Sequence, residues 1–305
     1  MVLQFKTNGF NCYGVAFSPH HPRRLGCVSA QNYGIAAEYG SLPLGNILNT
    51  TSESQPNIVW TVSANGFIYV WELSSASTDR PICALRGHNQ EIYSINWSPR
   101  VFDTQYVLTV SSDMSSKVWD ASTAQPIHAF VGHESIVYCG QWSPFIANTF
   151  ATASGDSTLK IWSLKQSQPM LNISQGQSEI LSCDWNKFNQ FLITTSDTNG
   201  LINVWDIRAP LHPMHTLSGH TKAVKCVKFS PHRDSVIGST SYDMTTRLWD
   251  INTNNGLVFT SQAHTEFVFA LDFNRHVIDQ MADCSWDQFV NVFSYSSQYN
   301  TRNQL

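Results

Sequence analysis

Three short motifs recur along the 305-residue chain and keep a fixed spacing from one another. The first is Trp-Asp or a variant of it, at intervals of 43 to 48 residues: Trp71-Glu72, Trp119-Asp120, Trp162-Ser163, Trp205-Asp206, Trp249-Asp250 and Phe293-Ser294. The second is a His that follows Gly or Ala: His88, His133, His220 and His264. The third is an Asp or Asn six residues before each Trp or Phe: Asn65, Asp113, Asp156, Asn199, Asp243 and Asp287. Because three series in one phase do not arise by chance, the chain is built from a repeated unit of about 44 residues.

The local patterns within a unit are those of short β-strands. Residues 224–229 alternate between apolar and polar side chains and end at Ser230-Pro231, and residues 245–249 are rich in strand-forming residues. The phased motifs resemble those of the WD40 repeat family, whose units form four-stranded antiparallel blades around a channel. The resemblance predicts an all-β, seven-bladed WD40 β-propeller that occupies residues 1–305 as a single domain.

The first two repeats depart from this spacing. Val28-Ser29-Ala30 matches Val62-Ser63-Ala64 only 34 residues later, and residues 49–57 are polar and contain Pro56. We therefore expect an irregular, shortened region of blades 1 and 2 around residues 39–57, without a normal innermost strand in blade 2. We also expect residues 2–6 to supply the outer strand of the last blade, since this closes the ring, and residues 294–305 to form a flexible tail.

The phased polar residues predict a hydrogen-bonded network in each regular blade. A loop His, a strand Thr or Ser, a turn Asp and the Trp indole would satisfy one another's buried polar groups. The expected sets are His88–Thr109–Asp113–Trp119, His133–Thr152–Asp156–Trp162 and His220–Ser239–Asp243–Trp249. Such a set resembles a hydrolase triad, but its recurrence in several repeats favours a structural role.

Composition excludes several classes of protein. The net charge of −4 argues against a general nucleic-acid binder, and no apolar run approaches the 18 residues of a membrane span. The seven cysteines are an odd number without a Cys-x-x-Cys pair, which indicates a reducing compartment rather than a disulfide scaffold or zinc site. No motif for a phosphate loop, metal or nucleophile is present, so we expect no cofactor, no metal and no enzymatic activity.

Several strings go beyond the general WD40 pattern and resemble the peroxin-7 family, the receptors for the type 2 peroxisomal targeting signal. They occur in the same order between about Gly9 and Phe293: residues 30–35, 132–138, 179–185, 229–232, 241–243, 264–267 and 282–287. The resemblance implies a cytoplasmic receptor that shuttles to the peroxisome. It would bind cargo enzymes such as a peroxisomal thiolase through a helical signal of the type Arg-Leu-x5-(His/Gln)-Leu. An auxiliary peroxin co-receptor and the peroxisomal docking complex are the other implied partners, with no nucleic acid and no membrane insertion.

The loops and turns of one propeller face carry residues suited to such a helix. Acids at Glu91, Glu134, Glu179 and Glu266 would steer and orient a basic residue, and the aromatic side chains of Tyr242 and Trp286 would contact leucines. The alternative for each acid is an ordinary solvated loop residue, and Lys222 shows that the rim is not uniformly acidic.

Two further alternatives stay open at the level of sequence. The chain could be a generic WD40 scaffold subunit of another multiprotein complex. The basic cluster of His20, His21, Arg23 and Arg24 could contact a co-receptor or phosphate, although a solvated loop is the favoured interpretation.

Overall fold

A computed structural model describes residues 2–7, 9–21, 23–30, 48–49, 58–72, 81–99, 105–253 and 256–295. Every regular element in these ranges is a β-strand. The described residues accordingly include no helix with the length and hydropathy that crossing a membrane requires.

The strands form seven antiparallel sheets, which we call sheet 1 and blades 2 to 7. Sheet 1 consists of β2 (Asn11–Phe17) and β3 (Leu25–Ala30). Blade 2 consists of β4 (Leu48–Asn49), β5 (Ile58–Val62), β6 (Phe67–Glu72) and β7 (Cys83–Arg86). Blade 3 consists of β8 (Ile92–Trp97), β9 (Tyr106–Ser111), β10 (Ser115–Asp120) and β11 (Gln125–Val131). Blade 4 consists of β12 (Val137–Trp142), β13 (Thr149–Ser154), β14 (Thr158–Ser163) and β15 (Leu171–Ser174).

The remaining blades follow the same order of strands. Blade 5 consists of β16 (Ile180–Trp185), β17 (Leu192–Asp197), β18 (Ile202–Asp206) and β19 (His215–Leu217). Blade 6 consists of β20 (Val224–Phe229), β21 (Val236–Ser241), β22 (Thr246–Asp250) and β23 (Leu257–Ser261). Blade 7 consists of β24 (Val268–Phe273), β25 (Gln280–Ser285), β26 (Phe289–Ser294) and, on its outer edge, β1 (Val2–Lys6), which pairs with β26.

The prediction of a seven-bladed propeller is wrong: the described residues form six four-stranded blades and one sheet of two strands. The 34-residue interval between the first two repeats is too short for a regular unit. In blade 2 the innermost strand is the two-residue β4. Residues 31–47 and 50–57, on which most of the expected irregular region falls, lie outside the described residues.

The innermost strands follow one another around a closed ring. Contacts connect β2, β4, β8, β12, β16, β20 and β24, and β24 contacts β2 again. The apolar core lies between neighbouring sheets, as in the cluster of Cys139, Ile161, Ile180 and Trp185 from blades 4 and 5. The fully buried indoles of Trp60, Trp162, Trp185 and Trp249 supply large apolar surfaces to these interfaces.

Hydrogen bonds also join neighbouring innermost strands. Trp185 Nε1 donates to Gln141 O and Trp142 Nε1 donates to Asn96 O, each at 3.1 Å. The equivalent indole, that of Trp97 in blade 3, is buried and has no hydrogen-bond partner among the described residues. Within the part of the chain that the structure describes, the series of bonds therefore joins blades 3, 4 and 5.

The chain's last described residues are ordered against blade 6 rather than free. Ser294 ends β26, and Tyr295 is fully buried in a cluster with Val236 and Phe273. The expected tail thus starts beyond Tyr295, outside the described residues, and its flexibility stays a prediction, as does the single domain.

Candidate functional site

The loops between successive blades and the turns between second and third strands lie on one face, which we call the upper face. In blade 3, His88 Nδ1 lies 3.0 Å from Asp113 Oδ2, and His88 Nε2 lies 2.8 Å from Thr109 Oγ1. Trp119 Nε1 donates to the same hydroxyl at 2.9 Å. Because a carboxylate only accepts, Nδ1 carries the hydrogen, and Nε2 accepts from the hydroxyl.

Blades 4 and 6 repeat this arrangement with the expected residues. The corresponding sets are His133, Thr152, Asp156 and Trp162, and His220, Ser239, Asp243 and Trp249, with bonds of 2.7 to 2.8 Å. The hydroxyl that a hydrolase would use as its nucleophile is buried and engaged by both the imidazole and the indole. These sets therefore brace the blade and present no reactive group to a ligand.

Burial fixes the charge states in these three networks. It lowers the pKa of His88, and the nearby Asp113 does not fully reverse the effect. The same holds for His133 and His220. Burial alone would raise the pKa of Asp113, but hydrogen bonds from His88 and Ser115 outweigh it and hold the pKa of this carboxyl well below its usual range.

Blade 5 has an equivalent network that the sequence motifs did not reveal. Gln175 replaces the His: its Oε1 accepts a bond from Thr195 Oγ1 at 2.6 Å, and its Nε2 donates to Asp197 Oδ2 at 2.9 Å. Trp205 Nε1 donates to Thr195 Oγ1. The carboxylate is therefore Asp197, at the end of β17, rather than the Asn199 that continued the turn series in the sequence.

A ring of large side chains surrounds the upper end of the central channel. Six innermost strands each contribute one residue from near their start, which is the third residue in β2 and the second in the other strands. These residues are Tyr13, Tyr93, Tyr138, Leu181, Lys225 and Phe269. In every one of these strands the pairing register shifts at this residue, which marks a β-bulge. Because a bulge re-aims the side chain it carries, the ring follows from a repeated irregularity of the backbone.

The ring opens into a cavity of about 850 Å³ that extends down the channel. Glu91, Tyr242 and Trp286 also line this cavity, so three of the residues expected to bind a signal border it. Its volume lies within the range of ligand-binding pockets in proteins.

The four predicted acids occupy three different positions in their loops. Glu91 and Glu179 directly precede β8 and β16, beside the ring, and Glu179 Oε2 accepts a hydrogen bond from Tyr138 Oη at 2.9 Å. Glu134 follows His133 and its backbone amide donates to Asp156 Oδ2. Glu266 lies two residues before β24 and is exposed. The structure thus brings Glu91 and Glu179 into equivalent places and separates the other two from them.

Tyr242 and Trp286 belong to a half-buried aromatic cluster. Tyr242 stacks on Phe267 with ring centroids 4.7 Å apart, and Trp286 stacks on Phe269 at 5.0 Å. Tyr13 contacts Phe269 edge-on at 5.1 Å. Sequence reasoning missed Phe267, Phe269 and Tyr13. Phe269 and Tyr13 hold equivalent positions near the start of their innermost strands, and this shared position was the signal that could have found them.

The other predicted groups lie away from this cluster. His20, His21, Arg23 and Arg24 belong to the loop between β2 and β3, on the opposite, lower face. All seven cysteines are free thiols. Among the described residues, no three His, Cys, Asp or Glu side chains come together as metal ligands would.

Comparison with known proteins agrees with this architecture. The WD40 family model, described as WD domain, G-beta repeat, matches residues 79–120, 124–163, 168–206 and 211–250. A mouse protein named peroxisomal targeting signal 2 receptor is 45% identical over 302 residues, which cover 93% of this chain and 94% of the relative. The Dictyostelium discoideum protein of the same name is 49% identical, over 89% of this chain and 91% of its own. Arabidopsis thaliana peroxisome biogenesis protein 7 is 46% identical, over 93% and 95%.

The chain belongs to the family of peroxisomal targeting signal 2 receptors. This family consists of WD40 receptors and not of enzymes. Membership agrees with the structural role of the buried networks of His, Asp and Ser or Thr in the described blades.

Proposed function

We propose that this chain is a cytoplasmic import receptor that binds the type 2 peroxisomal targeting signal of matrix enzymes, such as a thiolase. It would deliver them, with an auxiliary peroxin co-receptor, to the peroxisomal docking complex. The observation that carries the proposal is the pairing of two equivalent acids, Glu91 and Glu179, with a ring of aromatic side chains around an open cavity. The names of the relatives support the same conclusion.

The chemistry of the upper face complements an amphipathic helix. A signal of the form Arg-Leu-x5-(His/Gln)-Leu repeats its pattern after seven residues, so Arg, both Leu and His or Gln share one helical face. The aromatic rings of Tyr13, Tyr93 and Phe269 offer apolar surface for the leucines. Glu91 and Glu179 offer carboxylates for the Arg, which would orient the helix and speed its encounter.

The proposal is tested by the binding of a fluorescent signal peptide, followed by anisotropy with the co-receptor present. The comparison peptide has Glu in place of Arg and Asp in place of each Leu. We expect the signal peptide to bind and the comparison peptide not to bind. Equal binding of both peptides, or of neither, would contradict the proposal and would favour a generic WD40 scaffold.

The contribution of the acids is tested by Glu91→Gln combined with Glu179→Gln. Losing both carboxylates should weaken binding by about tenfold or more, since paired charges at a recognition site contribute on the order of 1–2 kcal/mol each. Asp234→Asn is the matched control, because Asp234 is an exposed acid on the lower face. The melting temperatures of both variants should stay close to that of the unmodified protein; a large drop would show that the acids are structural.

A further inference from the structure

Lys225 is the one charged residue in the ring of six side chains at the upper end of the channel. The other five members of the ring are aromatic residues or leucine. Lys225 projects from blade 6, at the bulge of β20, and its ammonium group reaches rings that belong to other blades. Its Nζ lies 5.8 Å from the ring centroid of Tyr93 in blade 3, 5.5 Å from that of Tyr138 in blade 4 and 5.5 Å from that of Phe269 in blade 7. The ammonium group therefore lies over the channel, within cation–π distance of three aromatic rings.

The second lysine of the same strand shows what Lys225 lacks. Lys228 Nζ lies 2.7 Å from Asp272 Oδ1 of blade 7. Lys225 Nζ makes no ion pair and no hydrogen bond with any residue that the structure describes. Burial lowers the pKa of Lys225, and the charges of Cys139, Cys226 and Glu91 oppose this only in part.

The ammonium group of Lys225 borders the open cavity, and the residue is only partly buried. The aromatic rings attract this group through cation–π interactions, but they satisfy none of its three N–H donors. A helix bound across the ring would exclude water from the ammonium group, and a charged group without water or a hydrogen-bond partner is costly. A ligand that brings an acceptor to this place avoids that cost, so the ring favours a ligand with an acceptor above Lys225.

We propose that Lys225 is a specificity-determining residue that donates a hydrogen bond to the His or Gln side chain of the bound targeting signal. This inference rests on the proposed function. His and Gln differ in shape, but a neutral imidazole nitrogen and a carboxamide oxygen are both acceptors, which is what a lysine requires. The His or Gln follows the Arg by seven residues, two helical turns and about 10 Å along the same face. The helix can therefore present Arg to the rim acids while it presents the acceptor to the channel.

The proposed contact makes binding of a His-containing signal depend on pH. A neutral imidazole accepts from Lys225, whereas an imidazolium only donates and repels the ammonium group. Affinity for this signal should thus fall as the pH drops through about 6.5, the ordinary value for His. A Gln-containing signal should not respond, because its carboxamide does not titrate.

Several ionisable groups of the receptor itself face Lys225 or the rings around it. They are Glu91, Tyr93, Tyr138, Cys139, Glu179, Cys226 and Tyr242. Their effects, and those of the buried histidines, are common to both peptides. The difference between the His and Gln peptides therefore isolates the imidazole of the ligand.

The test measures the affinity of the two peptides at pH 7.5 and pH 5.5 by anisotropy, with the co-receptor present. For the unmodified receptor we expect the His peptide to bind about tenfold more weakly at pH 5.5, and the Gln peptide to change less than twofold. Lys225→Met keeps the length of the side chain and its apolar contacts but removes the donor. It should weaken both peptides at pH 7.5 and remove the difference between their pH responses.

Lys222→Met is the matched control. Lys222 is an exposed lysine of the same blade, with its Nζ 5.8 Å from the Phe267 ring, and its loss should leave the pH response of the His peptide intact. Unchanged affinities in Lys225→Met, with a melting temperature close to that of the unmodified protein, would overturn the proposal while the receptor function stands. A His peptide that keeps its pH response in Lys225→Met would overturn it as well. Failure of both peptides to bind the unmodified receptor would overturn the proposed function and this inference together.

Discussion

Blades 6 and 7 hold a histidine at the same place on the upper face, but in different environments. In blade 6, His220 lies between Asp243 and the hydroxyl of Ser239. In blade 7, His264 lies between two carboxylates: Nδ1 is 2.8 Å from Asp287 Oδ2, and Nε2 is 2.9 Å from Asp283 Oδ1.

The second carboxylate reverses the charge state of the imidazole. Burial lowers the pKa of both histidines, and in blade 6 this effect prevails, so His220 is neutral at pH 7. In blade 7 the hydrogen bonds and charges of Asp283 and Asp287 outweigh burial and raise the pKa of His264 to about 9. A single residue of the second strand, Ser in one blade and Asp in the next, thus converts a neutral hydrogen-bonded network into a buried ion pair.

Removing each histidine should give the largest difference between the two blades. His264→Ala leaves Asp283, which is fully buried, without its cation, and we expect a loss of about 3–5 kcal/mol in the free energy of unfolding. His220→Ala removes neutral hydrogen bonds and should cost about 1–3 kcal/mol. Urea unfolding of both variants at pH 7 measures the two values; equal losses would show that the blade 7 pair is not ionic.

The pH dependence of stability should separate the blades in a second way. Because the folded pKa of His264 exceeds the ordinary value of 6.5, its contribution is fully present below pH 6.5 and is lost as the pH rises through 9. Asp283→Ser gives blade 7 the environment of blade 6 and should remove this alkaline loss. The stability of the unmodified protein relative to Asp283→Ser should therefore fall by about 3 kcal/mol between pH 6.5 and pH 10. A constant difference over this range would refute the assignment.

The smallest expected effect concerns the residue beneath the histidine. Blade 6 has Trp249, whose Nε1 donates to Ser239 Oγ at 2.8 Å, whereas blade 7 has Phe293 at the equivalent position. Asp283→Ser combined with Phe293→Trp should create the equivalent bond in blade 7. A double-mutant cycle removes the cost of packing the larger indole, and we expect a favourable coupling of about 0.5–1.5 kcal/mol. A coupling of zero would mean that blade 7 cannot adopt the network of blade 6.

The repeat phase was enough to predict the regular blades. The spacing of His, Asp and Trp reflects contacts within one blade, between a loop, a turn and the third strand that follow one another closely along the chain. Such contacts leave a fixed interval in the sequence, and His88, Asp113 and Trp119 could be assigned from it. Gln175 and Asp197 were missed because they replace the motif residues with others of different type or position.

The number of complete blades could be predicted less well. The short interval between Val28 and Val62 showed that residues were lacking, but not which strands they would have formed. That depends on pairing between strands, as the two-stranded sheet 1 and the two-residue β4 show. In the next blade, Trp97 Nε1 has no hydrogen-bond partner among the described residues, which no local pattern in the sequence predicts.

Some features of the candidate site could likewise be predicted from the sequence, and others could not. The sequence by itself determined the WD40 repeat, the acidic loops and the aromatic turns, since each depends on residue type and on spacing within one repeat. Only the tertiary structure decided that Glu91 and Glu179 are equivalent and that Lys225 differs from Lys228. In the sequence both lysines are polar positions of one alternating strand, but a bulge turns Lys225 toward rings from three other blades, while Lys228 meets Asp272. The physical reason is that a ring around a channel is assembled from residues more than 40 positions apart, and its geometry depends on how the backbones pair.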